Sequence, residues 1–192
     1  RKSFPKQFAA LTGDHTLFQQ AALRMTGADV GRPLVVTSSD FRFIVTEQLA
    51  EVGVDPGAIL IEPAARNTAP AVLAAALHLA NTRPDAMMLV MPSDHVIPDA
   101  EAFRAAVRAG RPAAEAGSIV TFGIAPDRPE TGYGWLELAE PPRAGVPSSI
   151  ALKRFVEKPD PARAAAMLEA GTFLWNAGIF LMSVQTAVSA FE

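Results

Sequence analysis

In Ala86-Met87-Met88-Leu89-Val90-Met91-Pro92-Ser93-Asp94-His95 a continuous apolar run, 86–91, is stopped by Pro92 and followed closely by a carboxylate, Asp94. That is the pattern of a strand buried on both faces, with the acid at its carboxyl end, where open α/β sheets bind ligands. A single carboxylate in such a place suits Mg2+, which takes few protein ligands and completes its octahedron with water and phosphate oxygens. The same spacing lets Asp94 cap the turn into the next helix instead, so both roles are open. His95 follows directly, but neither His15 nor His78 offers metal-ligand spacing with it, which argues against a histidine-based zinc site.

Lysine occurs only at positions 2, 6, 153 and 158, with arginine used elsewhere. Lys6 stands in a Pro-Lys pair on a loop, and Lys158 in Glu157-Lys158-Pro159 at a strand end. A compact ammonium at either place can meet a phosphate as a point charge, while Glu157 can accept sugar hydroxyls. An exposed Glu157–Lys158 ion pair is the plainer alternative, worth only ~0–1 kcal/mol. The loop from Glu62 through Arg66 to Asn67 leads to a helix N-terminus, whose unpaired amides and positive dipole end are open to a ligand. Asn67 or Thr68 there is equally an ordinary cap. Glu62, delivered by a strand end, can accept the N1-H and N2-H2 donors of guanine. Gly132 and Gly134 flank Tyr133 where either a ligand or a tight turn would need them, and Asn176 with Gly178 carries the same ambiguity. No Gly-x-Ser-x-Gly elbow occurs, so a hydrolase triad is unsupported.

The elements that position these residues follow from the apolar periodicity. Helical spacing runs over 16–25 (Leu17, Phe18, Ala21, Ala22, Met25). Leu34–Thr37 is a β-branched strand, followed by a Ser38-Ser39-Asp40 cap and a helix over 41–51 closed by Gly53. A strand over 58–61, an Ala-rich helix from about 68 to 80, the Asp94 strand, a helix over 101–116 and a strand over 119–123 complete an alternating series. Strands and helices alternating with short links imply right-handed crossovers and a mostly parallel, Rossmann-like α/β sheet with helices on both faces. The pattern then changes. Residues 131–138 and 150–157 read as two strands joined by a Pro/Gly-rich segment, a β insertion covering one end of the crevice. A helix over 161–171 with proline near its first turn and an apolar strand over 173–182 follow.

Length allows one domain over residues 1–192 with a full core. The formal charge of −3 and pI near 5.7, with no basic block, exclude a general nucleic-acid surface but not a small phosphorylated ligand. No apolar run approaches the ~18 residues of a membrane helix. The chain has no cysteine, hence no disulfide framework, thiolate zinc site or thiol nucleophile, and a cytoplasmic location is expected. Self-association is compatible with the composition and not specified by it.

Six strings in order carry a family resemblance: Phe4-Pro5-Lys6-Gln7-Phe8, Glu62-Pro63-Ala64-Ala65-Arg66-Asn67-Thr68-Ala69-Pro70, Met91-Pro92-Ser93-Asp94-His95, Glu130-Thr131-Gly132-Tyr133-Gly134, Phe155-Val156-Glu157-Lys158-Pro159 and Trp175-Asn176-Ala177-Gly178-Ile179-Phe180. Across nearly the whole chain they resemble the sugar-1-phosphate nucleotidyltransferases, and Arg-Asn-Thr-Ala-Pro points to the bacterial mannose-1-phosphate guanylyltransferase branch. The resemblance implies transfer of guanylate from GTP to mannose 1-phosphate, giving GDP-mannose and pyrophosphate with Mg2+. It implies that Lys6 meets the nucleotide phosphates, Asp94 holds the metal, and Glu62, Arg66 and Asn67 belong to the base-side loop. Gly134, Glu157 and Asn176 would line the sugar, and Lys158 would face the sugar phosphate. The family's glycine-rich loop would fall just before Arg1 and its second metal aspartate beyond Glu192, so both ends are expected to be cuts in a longer chain. Two further readings remain: a regulatory subunit that binds GDP-mannose without turnover, and a glycosyltransferase of similar topology, against which the lack of an Asp-x-Asp pair counts.

Overall fold

The computed structural model describes residues 4–11, 13–27, 30–64, 67–143 and 145–192. The chain divides into two compact units, the first made of Arg1–Arg104 with Ser183–Glu192 and the second of Ala105–Met182.

In the first unit a single 3-10 turn, Lys6–Phe8, precedes α1 (Leu17–Leu23), β1 (Leu34–Ser38), α2 (Arg42–Glu51), β2 (Ala58–Glu62), α3 (Thr68–Thr82), β3 (Met87–Val90) and the start of α4 (Ala100–Glu115). Thr16 and Gln19 open α1 by a reciprocal capping box, with Gln19 N donating to Thr16 Oγ1 at 3.2 Å and Thr16 N to Gln19 Oε1 at 3.0 Å. Gly53, at φ 68, closes α2 as the sequence predicts, and the Val54 amide then reaches back to Leu49 O at 2.9 Å. The return through α2 brings β2 parallel to β1, in register from Leu34↔Ala58 to Ser38↔Glu62. Phe8, Phe18, Val45 and Leu49 form the core here, with Val35 and Ile59 from the strands packed on it. Each such side chain taken out of water contributes ~1.5–3 kcal/mol. The Ala-rich helix α3 packs on β1, β2 and the last helix, α6 (Val184–Ser189), whose Val184 amide donates to Ala86 O at 3.0 Å.

The second unit carries the rest of α4, then β4 (Val120–Ile124), β5 (Gly134–Leu138), β6 (Leu152–Glu157), α5 (Pro161–Ala170) and β7, which runs Phe173–Ser183 up to the boundary. Strand β7 alternates, burying Phe173, Trp175, Ala177, Ile179 and Leu181. Trp135, Val156, Ala164 and Met167 from β5, β6 and α5 complete a core with Phe173 and Trp175. The helix α5 shows both expected end signals: Asp160 Oδ1 accepts from Arg163 N at 2.9 Å beside Pro161, and Gly171 ends the helix at φ 66.

Two sequence readings shift. The segment over 119–123, expected to continue the parallel series, is β4, and it pairs antiparallel with β7. A short apolar run has no direction of its own, so its pairing depends on a partner that arrives only near the end of the chain. The strand predicted from Thr131 begins at Gly134, because Glu130 has already drawn residues 130–132 into a turn. The predicted partnership of β5 with β6 is observed and is antiparallel. Among the described residues no helix is long and apolar enough to cross a membrane.

Candidate active site

Two sets of the predicted residues come together, one in each unit. In the first unit, Lys6 opens the 3-10 turn anchored by Phe8, whose ring packs edge-on against Phe18 at 5.7 Å and tilted against Phe41 at 5.4 Å. The Phe8 carbonyl accepts from Gln48 Nε2 at 3.1 Å, so the turn is fixed on α2 while the lysine stem projects outward. Lys6 Nζ lies 2.9 Å from Asp94 Oδ2. Asp94 sits in the turn beyond β3, as expected. The capping alternative does not hold: Asp99 caps α4, its Oδ1 accepting from Ala102 N at 2.8 Å. Partial burial raises the Asp94 pKa, but the hydrogen bond and charge of Lys6, with His95 and its own amide, hold the carboxyl below the ordinary range.

Glu62 ends β2 opposite Ser38 of β1, and Asn67 occupies the N-cap position of α3 without its side chain bonding the helix amides. Neither makes an ion pair or side-chain hydrogen bond among the described residues. Arg66 lies outside the described residues. Among the described residues no three His, Cys, Asp or Glu side chains group so as to hold a metal. The donor set at Lys6 and Asp94 fits Mg2+ held by one carboxylate and by oxygens of the ligand, and it does not fit a protein cage.

In the second unit Glu157, Gly134 and Asn176 lie in a row across β6, β5 and β7. Gly134 pairs with Glu157, and Gly134 and Asn176 each stand one residue beyond the Trp135↔Trp175 pair. Gly134 is crowded by side-chain ends: a Cβ there would meet the Phe155 ring at 2.4 Å and Glu157 Oε2 at 3.1 Å. Asn176 Oδ1 accepts from Thr121 Oγ1 and Gly178 N, both at 3.1 Å, which fixes the amide where β4 slips register. Lys158 adopts φ 39, unusual for a residue with a side chain, and its amide donates to Tyr133 O at 3.2 Å. Its Nζ is 3.7 Å from Glu157 Oε1 with both side chains exposed, so the pair itself is a weak contact. The strained backbone at an exposed lysine is the stronger functional sign.

Sequence reasoning missed two groups. Glu130 holds the Gly132 amide at 2.9 Å and Arg128, whose guanidinium stacks 4.9 Å over Trp175. Arg24 is buried and bonds the His95 carbonyl at 2.8 Å. Its position was a signal: it falls on the apolar stripe of α1, three residues after Ala21 and seven after Leu17.

Comparison with known proteins places the chain in a family. The Nucleotidyl transferase pattern matches residues 1–190. The xanthan biosynthesis protein XanB of Xanthomonas campestris pv. campestris is 48% identical over 94% of this chain and 38% of its own length. The mannose-1-phosphate guanylyltransferase of Escherichia coli K12 is 46% identical over 94% of this chain and 38% of its own. The crystal structure described as mannose-1-phosphate geranyltransferase from Thermus thermophilus superposes with a TM-score of 0.83 at 32% identity, covering all of this chain and 54% of that one. This chain thus spans under two-fifths of those two curated relatives. It belongs to the nucleotidyl transferase family.

Proposed function

We propose that this chain belongs to the catalytic core of a protein that transfers guanylate from GTP to mannose 1-phosphate, releasing pyrophosphate and forming GDP-mannose. The observation that carries this reading is the 2.9 Å pair of Lys6 with an Asp94 held in its charged form beyond β3. The relative of Escherichia coli, 46% identical and named for the guanylyl transfer, supports the choice of nucleotide and sugar.

In-line displacement asks the protein to align two phosphates and to neutralise growing negative charge, with no covalent protein intermediate. A phosphate oxygen of mannose 1-phosphate attacks the α-phosphorus of GTP while the bond from that phosphorus to the pyrophosphate oxygen breaks. Lys6 meets the nucleotide phosphates, Asp94 holds Mg2+, and Lys158 meets the sugar phosphate. When bound, the metal neutralises charge on the phosphates. Glu62 accepts the guanine donors, and Arg66 and Asn67 serve the base side with it. Glu157 accepts sugar hydroxyls, Asn176 donates to them, and Gly134 leaves room beside both.

The test is pyrophosphate release by the full-length protein given Mg2+ with GTP or ATP and mannose 1-phosphate or glucose 1-phosphate. Release that requires GTP and mannose 1-phosphate together is the expected result. Binding of GDP-mannose with no release would replace transfer by a binding subunit.

A further inference from the structure

Arg24 is the one charged side chain that is buried among the described residues, at 5% exposure. Buried charges are ordinarily paired, because an uncompensated ion is costly in a low-dielectric interior. Among the described residues no carboxylate pairs with Arg24. One terminal nitrogen donates to His95 O at 2.8 Å, the other has no partner there, and the guanidinium lies 5.8 Å from the Phe103 ring centre. Burial pulls its pKa below the usual arginine value. The Arg24 backbone is held in turn, its carbonyl accepting from Arg104 NH1 at 2.8 Å. Arg24 therefore ties the end of α1 to the start of α4 and to the turn between β3 and α4.

Besides the Lys6–Asp94 contact, that turn has little else to hold it among the described residues. Among the described residues no backbone–backbone hydrogen bond ties residues 93–97 to another element. The carbonyl that Arg24 takes belongs to the residue next to Asp94, so the stretch that carries the Asp94 carboxylate is anchored one residue away. A cation left largely uncompensated in the interior, spent on one carbonyl beside the reactive acid, is costly for stability alone.

We propose that Arg24 is a positioning residue, whose guanidinium clamps the residue 93–97 turn through the His95 carbonyl and so sets the Asp94 carboxylate against Lys6. This rests on the reading of Lys6 and Asp94 as the phosphate and metal side of the site. It adds that the geometry of that side is set from α1, by a residue that touches neither ligand.

The experiment compares full-length wild type with Arg24→Met, which keeps the stem and removes the donors, with Arg24→Gln, and with Arg24→Lys. Binding of Mn2+ together with a non-hydrolysable α,β-methylene analogue of GTP is followed by the electron paramagnetic resonance of free Mn2+, alongside kcat, KM and melting temperature. For Arg24→Met and Arg24→Gln the expected result is about tenfold weaker Mn2+ binding and about tenfold lower kcat, with KM for mannose 1-phosphate within about twofold of wild type. Arg24→Lys should recover a large part of both losses. Wild-type Mn2+ affinity and kcat in a folded Arg24→Met or Arg24→Gln, whatever the melting temperature, overturn the proposal. Failure of both to fold assigns Arg24 to the core and also overturns it. If the wild-type protein binds Mn2+ and the analogue but transfers no guanylate, the transfer reading falls while the Mn2+ comparison still decides the role of Arg24.

Discussion

Lys6 and Asp94 are 67% and 35% exposed in their side chains, so their ion pair contributes only ~0–1 kcal/mol to folding. Retaining it for stability alone would be poor use of two groups at the end of a strand. Asp94→Asn and Lys6→Ala should therefore each lower kcat by ~10²-fold or more while moving the unfolding free energy by less than about 1 kcal/mol. Steady-state rates set beside urea titrations of the same variants check this, and an unchanged rate in either undoes that assignment. Gly134 poses a different test. An added methyl meets the outer end of a half-exposed phenylalanine, which can swing away, so Gly134→Ala should fold. It should raise KM for mannose 1-phosphate several-fold and leave KM for GTP unchanged, since what moves is Phe155 and the Glu157 carboxylate. If the ring is the obstacle, Phe155→Ala should relieve part of the effect in the double variant, a coupling that independent sites would not show. The placement of Asp94 beyond a strand and of Lys6 ahead of the first α-helix was legible from residue type and spacing. The crowding of Gly134 by Phe155 was not, because it depends on the β5–β6 register, which no single strand's pattern encodes.

Where elements meet, the turn at residues 127–133 in the second unit is organised by one carboxylate. Glu130 accepts from the Gly132 amide and from Arg128, while its carbonyl takes the Trp135 indole N–H at 2.9 Å. Arg128 stacks on Trp175, and Tyr133 meets the same ring edge-on at 5.4 Å. The chain has two tryptophans, and both lie against this turn. The Gly132 amide, then Arg128, hold the Glu130 carboxyl below its ordinary range. A depressed carboxyl binds fewer protons folded than unfolded, so its contribution is whole above the unfolded value of about 4.3 and is lost as pH falls through the lower folded value. Tryptophan emission excited at 295 nm should accordingly show an acid transition centred below pH ~4.3 that Glu130→Gln abolishes. The same transition in both proteins would show that the turn does not titrate through Glu130. Sequence periodicity located nearly every helix and strand, since each has a clear apolar pattern or a Ser, Thr, Asp or Gly at its end. It failed on the direction of β4 and the first residue of β5, which are set by β7 and by Glu130 respectively.

The division of the whole chain into two units was not legible, because neither crossing is marked by a linker. The first falls inside α4, between Arg104 and Ala105, and the second at the junction of β7 with α6. The first unit is therefore discontinuous in sequence and depends on α6 returning to it. That helix has six residues, too short to hold itself, so it persists through packing. Ser183 caps it, with Thr186 N donating to Ser183 Oγ at 2.9 Å, and Val184 and Ala187 are each only 1% exposed. Val184→Ala keeps the helix, removes two buried methyl groups and leaves a small cavity, at a cost of about 2 kcal/mol. Gln185→Ala, one residue on and exposed, should lie within about 0.5 kcal/mol of wild type. Urea unfolding followed at 222 nm measures both, and the first unit supplies most of the helix, through α1, α2, α3 and α6. A silent Val184→Ala would mean that α6 is not part of that unit's core, and the contact of α6 with α3 would then carry no stability.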